Sequence, residues 1–154
     1  MNRYVVAAVL TVALAVLAAP AIDRGATLNT HRQVETGIAS IDDAATDLVE
    51  TEEPSPDGHP NPRRVVELPL QRDSLTTVSV DHVRIVPRAD QRATVVRYAL
   101  ADGRTRETVI DERIVGNDPD GTAPLEVRGR GEIRVALTLR TDADGDPVVV
   151  ASRL

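Results

Sequence analysis

The sequence predicts an α+β protein: an N-terminal transmembrane helix and an amphipathic helix, followed by a small antiparallel β-sandwich or barrel. Three observations predict it. Positions 4–22 form an uncharged apolar run, apolar residues recur at helical spacing from Val34 to Leu48, and short apolar runs punctuated by Gly, Pro and Asp fill the rest. A chain of 154 residues has room for one ordinary domain plus an anchor. The expected divisions are an anchor or signal segment over 1–23, the amphipathic helix over 24–51, a Pro-rich linker over 52–63 and the β domain over 64–154.

The first element runs from Tyr4 to Ile22, YVVAAVLTVALAVLAAPAI, and its 19 residues rise roughly 28 Å as a helix, close to the thickness of a bilayer core. Arg3 and the terminal amine precede it, so the positive-inside bias keeps the amino end in the cytoplasm and carries the C-terminal domain outside the cell. The competing reading is a removable signal peptide, because Ala19-Pro20-Ala21 has the small-x-small form of a cleavage site. Either reading implies export.

Val34, Ile38, Ile41, Ala45 and Leu48 then follow one another at steps of four, three, four and three, one face of a second helix over about 31–51. Thr30-x-x-Gln33 has the form of a capping box, and Pro20 and Gly25 oppose a helix running straight through, so a fresh start at Thr30 is expected beside the alternative of one bent helix. The stripe suits packing on a neighbouring subunit or, equally, on the chain's own downstream domain. Asp42, Asp43, Asp47, Glu50, Glu52 and Glu53 crowd the far end, where negative charge opposes the helix dipole. Residues 52–63, EEPSPDGHPNPR, hold four prolines and no aliphatic side chain, which makes a stiff exposed linker with His59 as a solvated loop residue.

The remainder reads as strands. Arg64–Leu70 and Leu75–Val86 come first, and in the second the apolar phase moves from Val78 and Val80 to Val83 and Ile85, which calls for a bulge at Asp81-His82. Thr94–Leu100 turns through Ala101-Asp102-Gly103-Arg104 into Glu107–Ile110, and Glu132–Arg140 turns through Asp142–Asp146 into Pro147–Ala151, giving two hairpins. Short strands near Ile114 and over Leu125–Val127 complete an antiparallel set.

Composition narrows the function. The formal charge is −6, from 24 acids against 18 bases that are all Arg, so the bulk attraction to phosphate that a nucleic-acid binder needs is absent. An acidic surplus with Arg as the sole strong cation matches halophilic proteins, in which molar salt screens like charges, and equally matches a GC-rich codon bias. Cysteine is absent, and Tyr4 and Tyr98 are the only aromatics, which removes thiolate chemistry and stacking platforms. His31, His59 and His82 fall in unrelated contexts and no nucleophilic Ser motif occurs, so a non-enzymatic protein without a cofactor is expected. Asp142-x-Asp144-Gly-Asp146 has the opening carboxylates of a calcium loop, and Asn117-Asp118-Pro119-Asp120-Gly121 could add to them, but an acidic hairpin turn accounts for the pattern better. Arg128-Gly-Arg130-Gly131 offers a phosphate cradle or, more simply, a bulge.

This layout of apolar helix, packing stripe and β-rich head resembles type IV pilin-like proteins, and the composition resembles the small membrane-anchored pilin-like surface proteins of haloarchaea. The resemblance implies an apolar helix that bundles with its neighbours and a head that faces solvent. Two features depart from that family: Arg3-Tyr4 stands where a small residue commonly precedes prepilin cleavage, and no Glu occurs early in the apolar run. The sequence therefore points to a single-pass accessory protein in the cell membrane, its C-terminal domain extracellular, as a minor pilin-like component of a surface or export apparatus. Tyr4 to Ile22 and the Val34 to Leu48 stripe would serve as anchor and oligomerisation surface, with the membrane and other pilin-like subunits as partners. The alternative is a secreted β-sandwich binding module, its signal cleaved and its acidic loops taking a cation.

Overall fold

Among the described residues one helix, α1 (Asn2–Thr51), stands where two helices or one bent helix were expected, and it is followed by eight strands. They are β1 (Arg63–Leu70), β2 (Val80–Pro87), β3 (Thr94–Leu100), β4 (Thr105–Ile110), β5 (Ile114–Gly116), β6 (Leu125–Val127), β7 (Gly131–Thr141) and β8 (Pro147–Arg153). The computed structural model describes residues 2–56, 58–74, 76–88 and 92–154, and within α1 the side chains of 7–14 and 24–51. The anchor residues Tyr4 and Ile22 lie outside the described side chains. Among the described residues no helix is long and apolar enough to cross a membrane.

Helix α1 continues through Thr30 because the groups expected to start a helix there are engaged elsewhere. Thr30 is fully buried, and its hydroxyl oxygen accepts the Val78 backbone N–H at 2.9 Å while facing the Val78 and Ala26 carbonyls at 3.0 and 3.2 Å. Gln33 does not reach back to Thr30; its Nε2 donates to Asn29 Oδ1 at 3.5 Å. The capping box is therefore not formed. Tertiary packing holds the helix across Gly25, since Ala26, Thr27, Thr30 and His31 are all buried against the β domain. The negative far end finds its cation outside the helix, whose last turn has no basic residue. Arg64 of β1 lies 2.9 Å from Asp47 and 3.0 Å from Glu52, tying both ends of the linker together.

The strands form two four-stranded sheets, β1-β7-β8-β5 and β4-β3-β2-β6. Both expected hairpins are present, β3 with β4 and β7 with β8, and Gly103 and Gly145 take φ of +86° and +91° in their turns. The β2–β3 register shifts between Val80 and His82, the expected bulge. Residues 76–79 stay outside β2, with Ser74 bridged to Thr77, and Leu75 of the expected strand lies outside the described residues. One pairing departs from the antiparallel expectation: β5 runs parallel to β8, Ile114 opposite Val149, because the chain crosses from one sheet to the other between β4 and β5.

The inner face of the first sheet is shared. Helix α1 packs on β1, β7 and β8, while β2 and β6 of the second sheet reach β5 and β8. Val34, Ile38, Ile41, Ala45 and Leu48 are 0–2 % exposed and belong to one core cluster with Leu68, Leu137, Ile85 and Tyr98. The stripe is therefore covered by the chain's own β domain and is not a free oligomerisation surface. It closes against β1 because Gly37 has no side chain: a Cβ there would stand 2.9 Å from Leu68 Cδ1 and 3.0 Å from Pro69 Cδ.

That contact is testable. Gly37→Val is expected to lower stability by about 2–4 kcal/mol through overpacking and a β-branch in a helix. Gly25→Ala, where a Cβ meets nothing within 4 Å, is expected to raise it by about 0.5–1 kcal/mol. Chemical denaturation of the two variants reads the difference; equal midpoints would show that α1 does not seat on β1 as described.

Candidate functional site

The acidic turn singled out in the sequence is built as a turn. Asp142 Oδ1 accepts the backbone N–H groups of Asp144 and Asp146 at 3.1 and 3.0 Å, and Oδ2 accepts Arg113 Nη1 at 2.8 Å. The Asp146 N–H and the Arg113 guanidinium hold the Asp142 carboxyl below the usual range against the opposing effect of burial. The 117–121 loop does reach this turn, but through Asp120 Oδ1, which accepts the Ala143 N–H at 2.6 Å. Among the described residues no group of three His, Cys, Asp or Glu could hold a metal ion, so Asp142, Asp144 and Asp146 are not assembled as ligands. The acceptors that a calcium ion would need on Asp142 are spent on the hairpin.

The second loop considered, 128–131, is likewise engaged. Arg128 binds Glu126 and its carbonyl accepts Arg153 Nη1 at 2.8 Å. Glu126 also pairs with Arg84 of β2 at 2.5 Å, and the two guanidinium groups hold its carboxyl at about 2. The histidines remain apart: His59 is exposed in the linker, His82 rests on Asp81 at 2.8 Å beside the bulge, and His31 sits within α1 rather than at a helix start.

His31 belongs to a constellation that the sequence does not announce. A cavity of about 560 Å³ opens between α1, which contributes Arg24, Thr27, Leu28 and His31, and the start of β4, which contributes Arg104, Thr105 and Arg106. Arg104 Nη1 donates to Thr27 Oγ1 at 3.1 Å, and Arg106 lies 3.8 Å from Glu35 on the same helix. Arg104 is further held by Asp102 at 3.6 Å, whereas Arg24 makes no ion pair among the described residues. The β3–β4 turn and one turn of helix thus bring three guanidinium groups to one mouth.

Beneath them, His31 is 6 % exposed and its Nδ1 lies 2.8 Å from the hydroxyl of Tyr98, which is fully buried. Burial and then Arg106 push the His31 pKa down, which keeps the ring neutral near pH 7, and burial pushes the Tyr98 phenol up, which keeps it protonated. Either atom of this pair can be the donor; where Tyr98 donates to Nδ1, the ring's own proton sits on Nε2, on the cavity side.

Charge of the opposite sign gathers where the far half of α1 meets the β4–β5 connection. Burial first, then Asp111 and Asp43, raise the Asp42 carboxyl; burial first, against the opposing Arg92 and helped by Glu50, Asp42 and Asp111, raises Glu112. A raised folded-state pKa means stability present below the unfolded pKa and lost as pH rises through the folded one, so these carboxylates weaken the fold at neutral pH. Asp42→Asn is expected to raise the melting midpoint at pH 7 in 0.1 M KCl, with the gain shrinking in 2 M KCl and below pH 4. A gain that ignores salt and pH would show that like-charge repulsion is not its source.

No curated protein and no solved structure matches the chain. Its helix-plus-sandwich architecture and its arginine-lined cavity are therefore read from its own residues, and the chain belongs to the family described as a domain of unknown function (DUF7311), whose model matches residues 1–154.

Proposed function

We propose that the protein is a non-enzymatic, single-pass membrane-anchored display protein that holds its β head at the outer membrane surface. The observation that carries this reading is the continuity of α1 from Asn2 to Thr51. Its far half is part of the head's core, and Val9, Leu10, Val12 and Leu14 near its start are 61–63 % exposed. Residues 7–14 are all exposed, and at 100° per residue these eight positions point to all sides of the helix. A helix apolar all round is stable in lipid or in a bundle and not alone in water. The uncharged run of 4–22 supports burial in lipid, and a helix without a break carries the head as a rigid body on that anchor. As a minor pilin-like component, the protein would associate through this apolar third, since the Val34 to Leu48 stripe is covered within the chain.

The test uses the full chain expressed in a prokaryotic host with its own N-terminus. The expected result is recovery in alkaline-washed membranes at the intact mass, with the head digested by protease added from outside. Unprocessed, freely soluble protein in the cytosol would overturn the reading. Cleavage after Ala21 with release of the head would replace it by a secreted binding module.

A further inference from the structure

We propose that the cavity between α1 and β4 is a binding site for a phosphate-ester oxyanion, with the headgroup of a membrane phospholipid as its source. The oxyanion site stands on the cavity alone; the lipid source rests on the anchor reading above. Three observations carry it. First, the strong hydrogen-bonding groups at the mouth are donors. Guanidinium groups have no acceptor, and Arg24, Arg104 and Arg106 converge there from two elements. Second, His31 is more than nine-tenths buried, its Nδ1 is taken by Tyr98, and its Nε2 has no hydrogen-bond partner among the described residues while the ring lines the cavity. That ring edge opens into the cavity, where a ligand can meet it. Third, the volume of about 560 Å³ exceeds what a bare anion needs and suits a phosphate with its glycerol, the half-exposed Leu28 meeting the apolar side.

Position along the helix favours the lipid. At 1.5 Å per residue, Arg24 lies about 3 Å, Thr27 about 7.5 Å and His31 about 13.5 Å beyond Ile22, so the mouth occupies the headgroup layer when the apolar run fills the bilayer core. Asp102 and Glu35 balance Arg104 and Arg106 in part, at 3.6 and 3.8 Å, and hold the two guanidinium planes in place. Among the described residues, Arg24 supplies the charge that no ion pair balances. Bidentate donation from guanidinium groups to phosphate oxygens, joined by His31 Nε2–H, gives the site its chemical class.

The test titrates the full-length chain, in a phosphate-free non-ionic detergent and chloride buffer, with inorganic phosphate, with dihexanoyl phosphatidylglycerol below its micelle concentration, and with glycerol as the uncharged control. Calorimetry reads affinity, and the His31 Nε2–H proton resonance reads location. Saturable binding of the phosphate-bearing probes is expected, with a shift of that resonance, no response to glycerol, and at least a fivefold loss of affinity in Arg24→Gln and Arg106→Gln. Arg63→Gln, an exposed arginine at the start of β1 whose neighbour Arg64 pairs with the far end of α1, is expected to bind like the parent. Tighter binding of the lipid than of inorganic phosphate supports the lipid source; binding of inorganic phosphate alone supports the oxyanion site and overturns the lipid source. Absence of binding by protein shown folded by circular dichroism, or equal losses in Arg24→Gln and Arg63→Gln, overturns the site itself. Released, soluble protein that still binds phosphate through Arg24 would separate failure of the anchor from failure of the site.

Discussion

Everything else in this fold depends on the burial of one helical stripe. The first sheet offers an inner face four strands wide, and the second sheet reaches only its β8 and β5 side. Without α1, Leu68 and Leu70 of β1 and Val135, Leu137 and Leu139 of β7 would face water. Val34, Ile38, Ile41, Ala45 and Leu48 cover them, at about 1.5–3 kcal/mol for each large aliphatic side chain fully buried. With a single aromatic in the core, Tyr98, the domain has few bulky side chains with which to fill a sandwich. A helix wedged into the sandwich solves a shortage of volume as well as an excess of exposed area.

The same constraint explains how charge is distributed. A helix built into the core must bring its polar flanks against strands, and each flank meets a different population. At its far end the acids of α1 meet Arg64, which relieves Asp47 and Glu52, but Asp42 meets Asp111 and gains no cation there. At its near end the flank meets the Arg-bearing start of β4, and Glu35 and Thr27 are held by Arg106 and Arg104. The protein is acidic overall, yet the one mouth next to the apolar third is cationic. This polarity follows from which strand lies beside which turn of the helix.

Much of the architecture was legible because it is local. Alternation in β7, Asp-Gly turns at 102–103 and the change of phase at Asp81-His82 are short-range signals, and each corresponds to an element or a bulge. The misreadings share a cause. Thr30-x-x-Gln33 looks like a helix start until Val78, distant in sequence, takes the hydroxyl. The parallel β5 is three residues long and has no alternation to read. The acidic turn suggests a cation site until Arg113 and two backbone N–H groups fill Asp142. The cavity was invisible for the same reason: Arg24, His31 and Arg106 carry no common motif, and only the seating of α1 on the sandwich brings them together. A signal was present, since Arg24, Thr27 and His31 fall on one helix face and Arg104 and Arg106 flank the start of β4, but nothing local says that helix and strand meet there.

Continuity of α1 turns this arrangement into a mechanical statement. Were the helix broken at Gly25 or Thr30, its near part would swivel against the head and Arg24 would leave the cavity mouth. A helix that runs unbroken into a core fixes both the axial position and the azimuth of every group on it, and the strands packed against it inherit that position. The buried Thr30–Val78 bond and the His31–Tyr98 pair fall within the stretch where the helix enters the head. They clamp the segment that Gly25 would otherwise loosen. Their polar chemistry costs desolvation that apolar residues would avoid, so their value lies in register: each can be satisfied in only one rotation and one translation of α1 against β3 and the 76–78 segment.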